Sequence, residues 1–121
     1  MTAADWTWLA ILGGGGALLR YLVDGWIGRR FPGEFPLGTF AINAAGSLAL
    51  GLLVGLDVTK STLFVFGTGL IGAFTTFSTW LFETVRLAED GELAVAAANL
   101  AVSIAVGLAA GGAGWALGSV L

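Results

Sequence analysis

Four long apolar runs, parted only by short polar breaks, constrain this chain more than any other feature of it. They extend from about Trp6 to Val23, Phe35 to Leu56, Ser61 to Val85 and Leu93 to Leu121. Crossing the hydrocarbon core of a bilayer takes about 20 mainly apolar residues in a helix, and each run is near or above that length. Laid end to end they leave almost nothing over for a soluble domain. With 57% of residues hydrophobic, 11% charged and a mean hydropathy of +0.92, a water-soluble domain of 121 residues could not hide its apolar surface. The expectation is a single all-α integral membrane domain over residues 1–121 with four transmembrane helices, the third of them broken near its middle.

The breaks hold nearly all the charge: Asp24, Arg29, Arg30 and Glu34, then Asp57 and Lys60, then Arg86, Glu89, Asp90 and Glu92. The first ionisable side chain is Asp5 and no basic segment leads the first run, so that run reads as a retained helix rather than a signal peptide. Cysteine and histidine are absent, which excludes disulfides, thiolate zinc sites and imidazole chemistry. The net charge of −3 is spread over the breaks, and no basic patch points to nucleic acid. An even number of spans sets Lys60 on one side and Arg29, Arg30 and Arg86 on the other, with Arg20 near them. By the positive-inside rule this bias is weak enough to permit insertion both ways.

Twenty glycines would cripple soluble helices, but in a bilayer they let backbones approach closely. Gly51 with Gly55, Gly107 with Gly111, and Gly114 with Gly118 form small-residue pairs, and Gly13 to Gly16 smooth the first helix. These faces suggest a homo-oligomer, with packing inside one bundle as the competing explanation.

The third run reads glycine, β-branched and hydroxyl residues from Gly72 to Trp80, a composition that favours helix poorly. Non-helical backbone at that depth survives only where protein or a water-filled path satisfies it, and freed carbonyls there commonly bind a cation. The hydroxyls of such a segment can also return to the preceding turn as purely structural bonds. Thr39, Asn43 and Ser47 follow one another by a helical turn on the second run. Thr75, Thr76, Ser78 and Thr79 lie on the third, and Asn99 and Ser103 on the fourth. All are neutral donors, suited to an anion or to gluing helices together. Phe77 and Trp80 flank Ser78 and Thr79, and their electropositive ring edges would suit a small dehydrated anion. Core packing is the ordinary alternative for the same rings.

Arg20 and Glu83 are the only ionisable groups inside the runs, and both fall near expected helix ends, where they can reach the interface. This weighs against proton coupling. A proton-coupled exporter would have to rely on Glu83. Small dual-topology drug exporters carry a buried glutamate in the first helix, and this chain has none between Trp6 and Leu19.

Three motifs in order, the glycine run leading to GALLRY (Gly16 to Tyr21), PLGTFAINAAGSLALG (Pro36 to Gly51) and GLIGAFTTFSTWLFE (Gly69 to Glu83), closely resemble the Fluc fluoride channels, also called the CrcB family. The resemblance covers essentially the whole chain. It implies an antiparallel, dual-topology homodimer in the plasma membrane, with two pores that let fluoride leave the cytoplasm. Asn43 is similar to the family's pore asparagine, Thr39 to a pore-lining threonine, and Phe77 to the first phenylalanine whose edge contacts fluoride. Ser78 and Thr79 lie on the same stretch, and Ser103 matches a polar position of the fourth helix. Gly72 and Thr75 fall where backbone carbonyls of both subunits hold a central structural sodium ion, and Arg20 resembles an arginine at the aqueous vestibule. Two departures stand out: Trp80 replaces the family's second phenylalanine, adding bulk and an indole N–H, and Gly107 thins the polar track of the fourth helix. Some family members work as heterodimers in which one chain has degraded pore residues, so a non-conducting partner subunit is the alternative.

Overall fold

The computed structural model describes residues 1–121 and is helical throughout, with short connections. Helix α1 spans Ala3–Arg30, its start fixed by a capping box in which Thr2 and Asp5 satisfy each other's backbone N–H groups. It runs seven residues past Val23, where the sequence reading ended it. Asp24, Arg29 and Arg30 ride on the helix rather than in a loop, because arginines in a last turn suit the negative end of the helix dipole. Pro32 sets the limit, since the residue before a proline is pushed out of helical geometry, and Phe31 is the cap, at φ −129°.

Helix α2 spans Leu37–Gly55, and the chain leaves it through Asp57 at φ 53°, one of the residue types that tolerate left-handed backbone. The third run, Lys60–Glu89, is in two parts. Helix α3 (60–74) winds as a π-helix over Leu63–Ile71 before a last turn at Gly72–Phe74, and α4 spans Ser78–Glu89. Gly91, at φ 80°, turns the chain into α5, Leu93–Val120. The second run, the third run and α5 are each long and apolar enough to cross a membrane. Helix α1 has the length at 28 residues, but its glycines and its Asp and Arg residues make it less apolar.

Glycines decide which helices touch. A methyl on Gly51 would strike the backbone at Gly111, one on Gly55 that at Trp115, one on Gly114 that at Leu48, and one on Gly118 that at Leu52. The partner numbers rise together, so α2 and α5 run parallel in backbone contact. Gly16 likewise meets Leu70 and Phe74, and Gly69 meets Leu9, so α1 and α3 form a second parallel pair. The glycine pairs expected to serve an oligomer therefore face helices of the same chain; Gly51, Gly55, Gly114 and Gly118 leave no room for a methyl, whereas one on Gly107 or Gly111 would only reach ordinary contact with Ser47.

The interior inverts the usual pattern. Its buried apolar residues are Ile42, Val65 and Ala96, beside the buried polar Thr39, Thr84 and Asn99, whereas Leu108 and Val120 stand 75% and 80% exposed. Apolar surface on that scale is tolerable only against lipid or another protein.

Candidate functional site

The centre of the molecule is the interruption between α3 and α4. Thr75 turns the backbone out of the helix at ψ 161°. Two adjacent β-branched residues weaken helix here, but Asn43 on α2 is what holds the alternative. Its Nδ2 donates to the carbonyl of Thr76 and its Oδ1 accepts from the N–H of Thr76, both at 2.8 Å. An unbroken helix would send that N–H to the carbonyl of Gly72. The N–H of Thr79, due to the carbonyl of Thr75, goes instead to Thr76 Oγ1 at 3.2 Å, so Thr76 starts α4 as its cap. Gly72 and Thr75 thus lose their helical donors, and their carbonyls are left with lone pairs of the kind a hard monovalent cation accepts. Gly46 makes the approach possible, because a methyl there would collide with the Thr75 side chain.

Two cavities meet at Thr76. One, of about 260 Å³, is lined by Asn43, Ser47, Thr75, Thr76, Phe77 and Trp80 among others, and contains no ionisable side chain. The other, of about 240 Å³, is lined by Arg20, Tyr21, Asp24, Thr39, Thr76 and Thr79 with Ala17 and Ile42. The structure therefore divides the residues singled out in the sequence. Asn43, Phe77 and Trp80 share the first cavity, and Thr39, Thr79 and Arg20 share the second. Ser78 is exposed and lines neither, and Ser103 turns its hydroxyl to Asn99 Oδ1 at 3.3 Å.

Phe77 is 70% exposed and meets Trp80 edge to face, with ring centroids 5.5 Å apart. The indole N–H is already engaged, donating to the backbone carbonyl of Asn99 at 3.1 Å. Trp80 therefore brings its ring to the cavity and its donor to α5, so the indole N–H that the tryptophan adds at this position is engaged within the chain. Thr84 passed unnoticed in the sequence. It is buried, accepts from Asn99 Nδ2 at 2.8 Å and donates to the carbonyl of Trp80 at 2.9 Å. Its place one turn after Trp80 was the available signal.

Arg20 and Glu83 do not sit at helix ends. Helix α1 continues ten residues beyond Arg20 and α4 six beyond Glu83, and Arg20 Nε and Glu83 Oε1 are buried without hydrogen-bond partners. Glu83 and Asp24 line a larger cavity of about 520 Å³, together with Glu34, Arg86 and Asp90.

Residues 7–115 match the family model of CrcB-like proteins, described as camphor resistance. The chain belongs to the CrcB family. The chain is similar to "Fluoride-specific ion channel FluC 2" of Mycobacterium tuberculosis, 46% identical over 110 residues that make up 91% of this chain and 87% of the relative. "Fluoride-specific ion channel FluC 1" of Symbiobacterium thermophilum is 46% identical, covering 94% of this chain and 97% of its own. The FluC 1 of Streptomyces avermitilis is 48% identical over 88% of this chain and 91% of its own. As a CrcB protein with three helices fit to cross a membrane, the chain is a multi-pass protein of the plasma membrane.

Proposed function

We propose that this chain is a fluoride-selective channel, not an enzyme, which passively exports fluoride from the cytoplasm and so relieves its toxicity. The observation that carries the proposal is the cavity at the Asn43–Thr76 clasp: donors and aromatic rings at a helix break, with no carboxylate to repel an anion. A dehydrated fluoride needs short hydrogen bonds and positive ring edges to replace its water. The names of the relatives support the same cargo. In this reading Asn43, Phe77 and Trp80 line the pore on one side of the Thr76 clasp and Thr39 and Thr79 on the other, while Arg20 gathers anions at the vestibule; Ser78 and Ser103, which line neither cavity, would reach the ion only from a face completed by the second subunit. The mainly apolar exterior suits four spans inserted in both orientations and paired as an antiparallel homodimer. The Gly72 and Thr75 carbonyls would hold a structural sodium at its centre, neutralising dipoles that otherwise face one another.

The test is fluoride efflux from liposomes containing only this chain, followed by electrode after a potassium ionophore is added, with chloride-loaded vesicles as control. Rapid release of fluoride but not chloride is expected. Silence from well-folded, inserted protein would refute a self-sufficient channel and favour a partner subunit that conducts only with a related chain. One observation leans that way: the Trp80 indole donor and the Ser103 hydroxyl are both engaged inside the chain. Uphill transport driven by a proton gradient and abolished by Glu83→Gln would instead mark an exporter.

A further inference from the structure

Four hydrogen bonds join Trp80, Thr84, Asn99 and Ser103, two of them crossing from α4 to α5, and their directions are determined. The Thr84 hydroxyl has one proton, which goes to the carbonyl of Trp80, so toward Asn99 it can only accept. Asn99 must then present its NH₂ to Thr84, which leaves its Oδ1 for the Ser103 hydroxyl. The backbone carbonyl of Asn99 takes the indole N–H. Asn99 is wholly buried and Thr84 nearly so, at 0% and 6% exposure, so solvent has little access to replace a missing partner. The cycle thus grips Trp80 at both ends, by its backbone carbonyl and by its ring nitrogen. The ring so held meets Phe77 edge to face and lines the cavity with Asn43.

We infer that Thr84 and Asn99 are positioning residues: they lock the Trp80 ring in one orientation, turn its N–H away from the cavity, and through the ring contact set the edge that Phe77 offers to the ion. A phenylalanine at position 80 has no such handle, so the lock is a consequence of the tryptophan. The inference deepens the channel reading and rests on it for its effect on conduction, but the lock itself can be observed without any flux.

Two measurements on the full chain decide it. In protein labelled with ¹⁵N and held in nanodiscs, the Trp80 indole signal is identified by its loss in Trp80→Phe. Its hydrogen exchange is expected to quicken at least about tenfold in Thr84→Val, in keeping with loss of a buried hydrogen-bond network, and to stay slow in Thr84→Ser. The indoles of Trp6, Trp8, Trp26 and Trp115, all more than half exposed, serve as internal controls for folding. In liposomes, Thr84→Val is expected to slow fluoride efflux about threefold or more, the scale of one hydrogen bond between membrane helices. Thr84→Ser restores it, and the same Thr84→Val change matters much less in a Trp80→Phe background. Unchanged Trp80 exchange in Thr84→Val, or an equal loss of efflux in both backgrounds, would overturn the inference. If the native chain carried no fluoride at all, the channel reading would fall while the exchange experiment still decided the lock.

Discussion

Asn43 offers the sharpest test, because one side chain both holds the helix break and faces the cavity. Asn43→Ala leaves the N–H and the carbonyl of Thr76 unpaired. Two such losses cost about 2 to 4 kcal/mol where water cannot step in, or roughly 30- to 1,000-fold in the population of the ordered break. Asn43→Asp separates structure from electrostatics. Its carboxylate still accepts from the Thr76 N–H, but it no longer donates to the Thr76 carbonyl and sets a negative charge in a cavity that has none. A unit charge about 4 Å from an anion opposes it by about 4 kcal/mol at an effective dielectric of 20, roughly 1,000-fold in occupancy. Asn43→Ala is therefore expected to lower fluoride efflux from liposomes by at least about 30-fold and Asn43→Asp by at least about 100-fold. Exchange of the Thr76 amide tells them apart, remaining slow in Asn43→Asp and becoming fast in Asn43→Ala. Native efflux from Asn43→Asp would refute the pore assignment, and a slow Thr76 amide in Asn43→Ala would refute the clasp.

Three further outcomes follow from other parts of the molecule. Gly51→Val should lower the thermal unfolding midpoint in detergent by the equivalent of about 1 to 3 kcal/mol, since the added carbons meet rigid backbone at Gly111; Gly112→Ala, which faces open space, should not. The Glu34 carboxyl, outside the spans, is held above the usual carboxylate range by the charge of Glu92 and a hydrogen bond to it, then by desolvation and by Asp90. A raised carboxyl binds its proton more tightly folded than unfolded, so this end of the protein gains stability as pH falls through the raised pKa and loses it as pH rises. Glu34→Gln is expected to flatten the fall of the unfolding midpoint as pH rises above the ordinary glutamate pKa of about 4.3, and an unchanged profile would remove Glu34 from the account. Replacing all sodium by N-methylglucamine should lower the midpoint if the Gly72 and Thr75 carbonyls hold the ion, and equal midpoints would argue against a sodium there.

Much of the helical layout was legible because it is a local property. Runs of apolar residues mark where helices lie, and the β-branched and hydroxyl residues after Phe74 mark where the third run weakens. Ends were less so: charge at Asp24 suggested a boundary, yet the helix carried it to Arg29 and Arg30 and stopped only where Pro32 forbade continuation. Arg20 and Glu83 consequently moved from imagined helix ends to partly buried positions along helices. Asn43 and Thr76 were both conspicuous as intramembrane polar residues, but 33 residues of chain separate them and neither announces the other.

By itself the sequence determined that the chain is helical, apolar and suited to a bilayer, and which polar side chains its interior must accommodate. Hydropathy and backbone propensity act over a few residues, and those are written in order along the chain. Only the tertiary structure decided the partners. It joined Gly51 to Gly111 rather than to a second molecule, gave the Thr76 N–H to Asn43 rather than to Gly72, and sent the Trp80 N–H to Asn99 rather than to the cavity. A hydrogen bond or a close backbone contact is a relation between two positions in space. Each donor here had several acceptors compatible with its type, and the packing of parallel helix pairs chose among them.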